Sequence, residues 1–384
     1  MPSVVKKPVP MTVRFIHTAD WQIGMKASGI GPVGQQVREA RLDTINRVLG
    51  VAKERGINLL LITGDVFEDN AVDRFLVRKV GDKLSRFPGR VYIIPGNHDP
   101  LVPGSVWEHA VWEEASNVSV IREPEPIELD DCILYPCPLE EKYSTRNPTS
   151  WIDAGESEKI AIGLAHGNVE GLPDADPDFP IPRDAAGRAG LDFLAVGHWH
   201  SFATYPGADG AVRLAYSGTH ETTKFGERDS GNVLVVEIDE RGAAPKLESV
   251  PVGRLQWQTE ETSLEREGAL DSVLSGLNEI PAPESTLLRL RLNGLLYASD
   301  RAKLASVEEI VSTRFLYGIV DGQSLVPAPE DDSWIESLPV GPVREAAEKI
   351  REQALHASDE EKKAVATRAL IQLFEMNEKN HEGE

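Results

Sequence analysis

The sequence predicts an α/β fold in which two packed β-sheets are flanked by helices. In residues 1–100, short apolar runs alternate with segments of helical spacing, as in parallel α/β proteins. Between residues 118 and 251, short β-like runs dominate and predict further strands. Side chains of the kind that bind metal ions follow several of these runs directly, where the loops of a parallel sheet meet.

The first hundred residues predict three strands and two helices. Strands are expected at 14–18, 58–63 and 91–94, and the second of these is nearly all apolar, as is typical of a strand buried on both faces. Two series of apolar residues at helical spacing predict the helices between them, namely Val37, Ile45, Val48, Leu49 and Ala52, then Val72, Leu76, Val80 and Leu84.

The later β-like runs predict the remaining strands. Five are expected at 118–121, 127–129, 132–135, 159–164 and 192–196. Three more, at 212–216, 232–238 and 246–251, are expected to complete the second sheet.

Changes in composition predict the domain organisation. Residues 1–11 form a leader, 12–253 carry all the metal-type residues, and 254–323 predict a small α+β cap domain with a βαβαβ pattern. Residues 324–342 are rich in Pro, Ser and acidic residues, which predicts a linker. Two amphipathic helices are expected in 343–384. They either fold back onto their own domain or bind a partner, and the preceding linker favours the partner.

Composition narrows the class of protein. No apolar stretch of the 384 residues is long enough to span a bilayer, and the N-terminus lacks the apolar core of a secretory signal. The two cysteines, Cys132 and Cys137, are too few for a disulfide framework. We therefore expect a cytoplasmic protein without membrane partners.

The charge is unevenly distributed. The formal net charge is −22, yet residues 1–100 hold 15 basic and 10 acidic residues, so that their net charge is +5 and that of the rest is −27. Phosphate contacts supply most non-specific affinity for DNA. A DNA substrate would therefore need a local basic patch or a partner protein, whereas a small substrate would not.

Seven candidate metal ligands lie just past predicted strands: Asp20, Gln22, Asp65, Asn97, His166, His198 and His200. Asp65 can bridge two ions because a carboxylate has two oxygens. Asp20 and His200 are assigned to the first ion, and Asn97, His166 and His198 to the second. This mixture of oxygen and nitrogen ligands suits Mn, Fe or Zn better than Ca. Two such ions can activate water and stabilise a departing oxygen in phosphoester hydrolysis.

His98 and Asp99 are the candidate catalytic residues. His98 can protonate a leaving oxygen or hold a phosphate, and Asp99 is expected to orient it. His220, Arg38, Arg41 and Lys224 are weaker candidates for phosphate contacts, with solvated surface as the alternative. Trp21 either packs or stacks on a base.

Each metal-type motif has a simpler interpretation when taken alone. A Gly-Asp pair after a strand is a common turn, the Asn of GNHD can cap a turn, and GHWH can be a structural pair. Their occurrence in this order, on successive strand ends, favours a single site.

The motifs Asp20, Gly-Asp65, GNHD at 96–99, AHG around His166 and GHWH at 197–200 resemble the calcineurin-like metallophosphoesterase superfamily. HTADW, GDVFEDN, VYIIPGNHDP and YSGTHETTKFGE are similar to the SbcD-like DNA repair exonucleases within it. The resemblance covers about residues 12–250. It implies a four-layer αββα metallophosphoesterase sandwich, here with the small α+β cap domain and a C-terminal helical tail.

The resemblance also implies function and partners. It implies two Mn²⁺ ions as cofactors and the hydrolysis of DNA phosphodiesters in double-strand-break repair as the activity. The implied partner is an SMC-like coiled-coil ATPase bound by the C-terminal helices. The resemblance further allows a homodimer. One position departs from the superfamily pattern, since Gln22 stands where a histidine is usual. Either its amide oxygen binds the first ion more weakly than imidazole, or water takes that place.

Three functions remain open at this point. The first is a metal-dependent DNA exonuclease or endonuclease that acts with an ATPase partner. The second is a small-molecule phosphodiesterase or phosphatase, which the acidic composition favours. The third is a weakly active DNA-binding scaffold, which the replacement by Gln22 favours.

Overall fold

A computed structural model describes residues 12–155, 158–172, 178–329 and 331–381. The predicted leader at 1–11 therefore lies outside the described residues. The chain divides into two compact units, Met1–Leu255 and Gln256–Glu384.

The first sheet of the first unit has six strands: β1 (Val13–Thr18), β2 (Leu59–Thr63), β3 (Arg90–Ile94), β4 (Val118–Val120), β11 (Asn232–Ile238) and β12 (Lys246–Pro251). Their order is β12-β11-β1-β2-β3-β4. Strands β1 to β4 are parallel neighbours, whereas β11 pairs antiparallel with β1 and with β12. The carboxyl ends of β1, β2 and β3 therefore lie at one edge of the sheet.

The second sheet also has six strands: β5 (Ile127–Glu128), β6 (Cys132–Pro136), β7 (Ile160–His166), β8 (Phe193–Gly197), β9 (Ala203–Pro206) and β10 (Val212–Tyr216). Their order is β5-β6-β7-β8-β10-β9. Strands β6, β7, β8 and β10 are parallel, and the short outer strands β5 and β9 are antiparallel to their neighbours.

One expectation about the sheets was wrong. The segments 232–238 and 246–251 form β11 and β12 and belong to the first sheet, not the second. The backbone of β11 pairs with β1 over five residues, from Val13 with Ile238 to His17 with Leu234. Alternation of apolar residues predicts a strand but does not predict which sheet edge it joins.

Apolar side chains divide the first unit into four layers. Between the sheets, Phe15, Leu61 and Leu234 of the first sheet pack with Leu164 and Phe193 of the second. The outer face of the first sheet is covered by α1 (Gly34–Arg55) and α2 (Arg74–Leu84). The outer face of the second sheet is covered by loop residues and α4 (Ala185–Arg188), and the short α3 (Val111–Glu114) packs beside α2. The predicted αββα sandwich is therefore the observed fold.

The second unit contains the predicted βαβαβ pattern. Its parallel three-stranded sheet has the order β13 (Gln256–Leu264), β14 (Thr286–Leu296) and β15 (Tyr317–Pro327). The connecting helices are α5 (Ala269–Glu279) and α6 (Arg301–Arg314). They cover one face of the sheet, where Leu288, Leu290 and Leu292 meet Val307 and Val311.

The segment 324–342 is not a plain linker. It contains the end of β15 and the helix α7 (Ser333–Ser337). Trp334 and Ile335 of α7 are buried against Ala347 of α8 (Pro342–His356) and Leu370 of α9 (Glu360–His381). The prediction failed because the Pro and acidic residues outnumber the three apolar side chains that anchor this segment, Trp334, Ile335 and Leu338.

The C-terminal helical tail is present as α8 and α9, which pack together and contact α7 and β15. The predicted apolar stripes are only partly covered, since Val343 and Val365 are 56% and 53% exposed. Within the described residues, no helix combines the length and the apolar composition needed to cross a membrane.

Candidate metal centre

All seven predicted metal ligands come from the carboxyl ends of five strands. Asp20 and Gln22 follow β1, Asp65 follows β2 and Asn97 follows β3 in the first sheet; His166 ends β7, and His198 and His200 follow β8 in the second. The structure brings these residues together at one edge of the sandwich. Their roles as ligands stay predictions.

Four donor atoms converge in what we name the four-donor cage, formed by Asp65, Asn97, His166 and His198. His166 Nε2 lies 3.3 Å from Asp65 Oδ2 and 3.0 Å from Asn97 Oδ1, and His198 Nδ1 lies 3.0 Å from the same Asn97 oxygen. Donor atoms about 2.1 Å from one tetrahedral ion lie roughly 3.4 Å from one another. The spacing and the chemistry of the cage therefore fit one divalent ion of the Mn, Fe or Zn type.

The position and the pKa of His166 make the cage favourable for a cation. Its Nδ1–H donates to the Thr63 carbonyl at 2.8 Å, so Nε2 faces two acceptor oxygens. Burial opposes protonation of the ring, but Asp65 outweighs it and raises the pKa of His166 to about 9. Conversely, burial alone would raise the pKa of Asp65, and His166 brings it below its usual range. A proton or a metal ion must therefore separate these groups.

We predict that metal uptake by the cage releases a proton at pH 7. Since the pKa of His166 is raised to about 9, the metal-free ring is protonated at neutral pH and must lose Nε2–H to bind an ion. Apparent affinity should rise about tenfold per pH unit as the pH approaches 9 and then level off. Calorimetric titration with Mn²⁺ in two buffers of different ionisation enthalpy measures this; identical heats in both would contradict it.

Four of the seven residues adopt left-handed backbone conformations. The φ angles are 55° at Asp20, 42° at Gln22, 51° at Asp65 and 105° at His198. Such conformations cost on the order of 1–3 kcal/mol each and persist where the surroundings enforce them. Here Asp20 N–H donates to the Gly64 carbonyl at 3.2 Å and Gln22 N–H to the Asp65 carbonyl at 2.9 Å. These bonds turn the chain sharply and direct the side chains into the centre.

The other part of the centre, which we name the Gln22 side, comprises Asp20, Gln22 and His200. The Gln22 amide nitrogen lies 3.1 Å from His200 Nε2. Both Asp20 carboxylate oxygens accept from the His198 backbone N–H, at 3.0 and 3.1 Å. Burial raises the pKa of Asp20 to about 6, against the opposing effect of His166 and His200. On this side, the Gln22 amide is therefore paired with His200, and the Asp20 carboxylate with the backbone of His198.

The predicted orienting role of Asp99 is wrong. Its buried carboxylate accepts from the backbone N–H groups of Gly96 at 2.7 Å and Phe67 at 2.9 Å. His98 is instead held by the Glu68 carbonyl, 2.9 Å from Nδ1, and its backbone N–H donates to Asp65 Oδ1 at 2.9 Å. Asp99 thus fixes the turn that carries Asn97 and His98, since buried amides are satisfied by the nearest available acceptor.

Three weaker candidates prove to be buried structural residues. Arg41 donates to the backbone carbonyls of Trp21 at 3.0 Å and Glu221 at 2.7 Å, so it supports the turn after β1 and cannot reach a substrate phosphate. The Nε2–H of His220 donates to the Arg41 carbonyl at 2.9 Å. The Trp21 ring packs on His220, which excludes stacking on a base.

Sequence reasoning missed two polar side chains behind the histidines. Glu227 Oε1 lies 2.7 Å from His200 Nδ1, and the Asn168 amide nitrogen lies 3.0 Å from His198 Nε2. Outer partners of this kind select which ring nitrogen faces a metal. The only available signal was position, since Asn168 follows His166 by two residues and Glu227 ends the YSGTHETTKFGE segment.

Parts of this chain are similar to known proteins. Residues 13–202 match the family described as calcineurin-like phosphoesterase. The uncharacterized metallophosphoesterase YhaO of Bacillus subtilis strain 168 is 25% identical over 236 residues, which cover 58% of this chain and 56% of that protein. The match thus spans little more than half of the relative's length.

Among solved structures, this chain is similar to TT1561 of Thermus thermophilus, with 11% identity and a TM-score of 0.40 over 63% of this chain and 100% of that one. Another is the calcineurin-like phosphoesterase YfkN of Bacillus subtilis, with 10% identity and a TM-score of 0.38 over 63% of this chain and 91% of that one. Over residues 13–202, the chain is thus similar to the calcineurin-like phosphoesterase family.

Proposed function

We propose that this chain is a metal-dependent phosphodiester hydrolase that acts on DNA. The observation that carries the proposal is the convergence of Asp65, Asn97, His166 and His198 in one cage, beside the part-buried ring of His98. A divalent ion held by such donors polarises a phosphate and lowers the pKa of bound water. We propose two ions, Mn²⁺ in preference to Fe or Zn, with the cage holding one and the Gln22 side the other.

His98 is the residue that we assign to proton transfer. The Glu68 carbonyl holds its Nδ1–H, and the bond from its backbone N–H to Asp65 fixes the base of the side chain. The opposite ring nitrogen, Nε2, is then the one that donates to a phosphate or leaving oxygen. Because both the ring and the backbone of His98 are held, the residue loses little side-chain freedom when it transfers a proton to the substrate.

DNA as substrate is supported by the local charge and by the motifs. Residues 1–100 carry a net charge of +5, and Arg38, Arg74, Lys79 and Arg86 of α1, α2 and the following turn are exposed. Exposed basic residues supply the non-specific part of DNA affinity. The HTADW and VYIIPGNHDP segments, similar to SbcD-like nucleases, support the same substrate and a role in double-strand-break repair.

A small-molecule phosphodiester is the second candidate substrate. Residues 101–384 carry a net charge of −27, which repels a polyanion at long range. A small ester carries one charge and is affected much less.

Replacing His98 by alanine tests the function. We expect the variant to keep its metal, because His98 lies outside the cage, and to hydrolyse bis-p-nitrophenyl phosphate about 10²–10⁴-fold more slowly. Wild-type protein with Mn²⁺ is offered this ester, labelled duplex DNA and single-stranded DNA. Cleavage of DNA supports the proposal, cleavage of the ester alone supports the second candidate, and no cleavage by metal-loaded protein indicates a scaffold.

An SMC-like coiled-coil ATPase is the partner that we propose for α8 and α9. The exposed apolar residues Val343, Val365 and Met376 support this proposal, since they leave part of each helix uncovered within the described residues. A homodimer is the alternative use of the same surface.

A further inference from the structure

Glu227 is a buried carboxylate that the proposed chemistry does not use. Its side chain is 4% exposed, and Oε1 lies 2.7 Å from His200 Nδ1. Thr223 holds it in place, since the Thr223 N–H donates to Oε2 at 2.7 Å and the Thr223 hydroxyl donates to Oε1. A carboxylate held by two donors accepts a third hydrogen bond from a defined direction, and here the donor is Nδ1–H of His200.

This contact determines what the far side of the His200 ring can do. With the hydrogen on Nδ1, the neutral ring presents a lone pair at Nε2. The Gln22 amide nitrogen lies 3.1 Å from that atom, so the amide N–H donates to it. Gln22 is nearly buried, and its own backbone N–H is bound to the Asp65 carbonyl at 2.9 Å. The Gln22 amide therefore lies next to Nε2, the atom through which His200 would bind a cation.

We propose that Glu227 is a positioning residue and that Glu227, His200 and Gln22 form a latch that closes the Gln22 side of the centre. Opening the latch requires the Gln22 amide to turn, so that its oxygen replaces its N–H in front of His200. The four-donor cage has no such latch, because the amide there, that of Asn97, faces His166 and His198 with its oxygen. The chain then binds one ion tightly and a second one only after the latch opens.

Metal counting tests the latch in the full-length chain. Titration of metal-free protein with Mn²⁺, followed by the electron paramagnetic resonance of free Mn²⁺, should show one tight site and a second that is at least about 10–100-fold weaker. Gln22→His removes the donor and supplies imidazole, so it should bring the second site to within tenfold of the first. Gln22→Ala removes the donor without supplying a ligand and should leave the second site weak.

Variants of Glu227 separate positioning from folding. Glu227→Ala should weaken metal binding on the Gln22 side a further 10–100-fold and leave binding in the four-donor cage unchanged. Glu227→Gln retains the shape and an acceptor oxygen, so it should weaken the same site by an intermediate factor. It replaces the alanine variant in this test if that variant folds poorly. Glu240→Gln, at an exposed position, is the matched control and should change neither site.

Nitrogen-15 spectra of histidine-labelled, metal-free protein give a readout independent of activity. His200 should show a protonated Nδ1 and an unprotonated Nε2, and Glu227→Ala should abolish this pattern. A wild-type His200 protonated at Nε2, or two equally tight ions, would overturn the proposal. The latch rests on the proposed function only in that it regulates the same metal centre. Two tightly bound ions together with DNA cleavage would refute the latch alone. One tightly bound ion without any cleavage would refute the function alone.

Discussion

Replacing Asp65 by asparagine is expected to reduce hydrolysis of bis-p-nitrophenyl phosphate by about 10³-fold or more, a loss of roughly 4 kcal/mol in transition-state stabilisation. Asparagine can still accept from the His98 N–H, but it loses the negative charge that faces His166 at 3.3 Å. The cage then holds a cation with neutral ligands only. Affinity for Mn²⁺ should fall by at least about 10²-fold, as measured by calorimetry.

Asp130→Asn is the matched control for this substitution, because Asp130 is exposed. It should leave both metal affinity and turnover within twofold of the wild type. An Asp65→Asn protein that binds Mn²⁺ as tightly as the wild type would show that the carboxylate is not a ligand.

Replacing Gly64 by alanine is expected to destabilise the first unit by about 3–5 kcal/mol. Gly64 has a φ of 88°, and a Cβ atom there would lie 2.2 Å from His166 Nδ1 and 2.9 Å from the Gly96 Cα. The new methyl group must displace either the ring or the backbone of the GNHD turn. Metal affinity should fall together with stability, because the displaced ring belongs to the cage.

Gly50→Ala provides the opposite control for Gly64→Ala. Gly50 lies inside α1, and a Cβ atom there would meet nothing within 4 Å. This change should stabilise the protein by up to about 1 kcal/mol through helix propensity. Denaturant unfolding followed by tryptophan fluorescence compares the two variants. Equal stability of the two variants would contradict the close packing of Gly64 against the cage.

Much of the fold could be predicted because its signals are local. Apolar runs predict β1, β2, β3, β7 and β8, and parallel strands place their loops at one edge. The position of Asp20, Asp65, Asn97, His166 and His198 at that edge could therefore be predicted from the sequence. The sheet that β11 joins was not predictable, because pairing with β1 depends on residues more than 200 positions away. The burial of α7 was missed for a related reason, since its two apolar anchors lie among acidic residues.

The residues that support the centre from outside could not be predicted from the sequence. Glu227 lies in a polar stretch that is typical of a solvated loop, and nothing local indicates that it returns beneath His200, 27 residues earlier in the chain. Arg41 belongs to a helix with many charged residues, yet its guanidinium is buried among backbone carbonyls. Asp99 followed the pattern of an orienting acid but satisfies backbone amides instead. In each case the partner is set by tertiary packing.

We expect the four-donor cage, whose side chains come from both sheets, to hold a metal ion. Anomalous diffraction from crystals of the full-length chain, grown with Mn²⁺ and measured above the manganese absorption edge, tests it most directly. We predict the strongest peak within bonding distance of Asp65 Oδ2, Asn97 Oδ1, His166 Nε2 and His198 Nδ1. At saturating Mn²⁺, the absence of a peak among these four atoms, or a stronger peak elsewhere on the protein, would show that the cage is not the metal site.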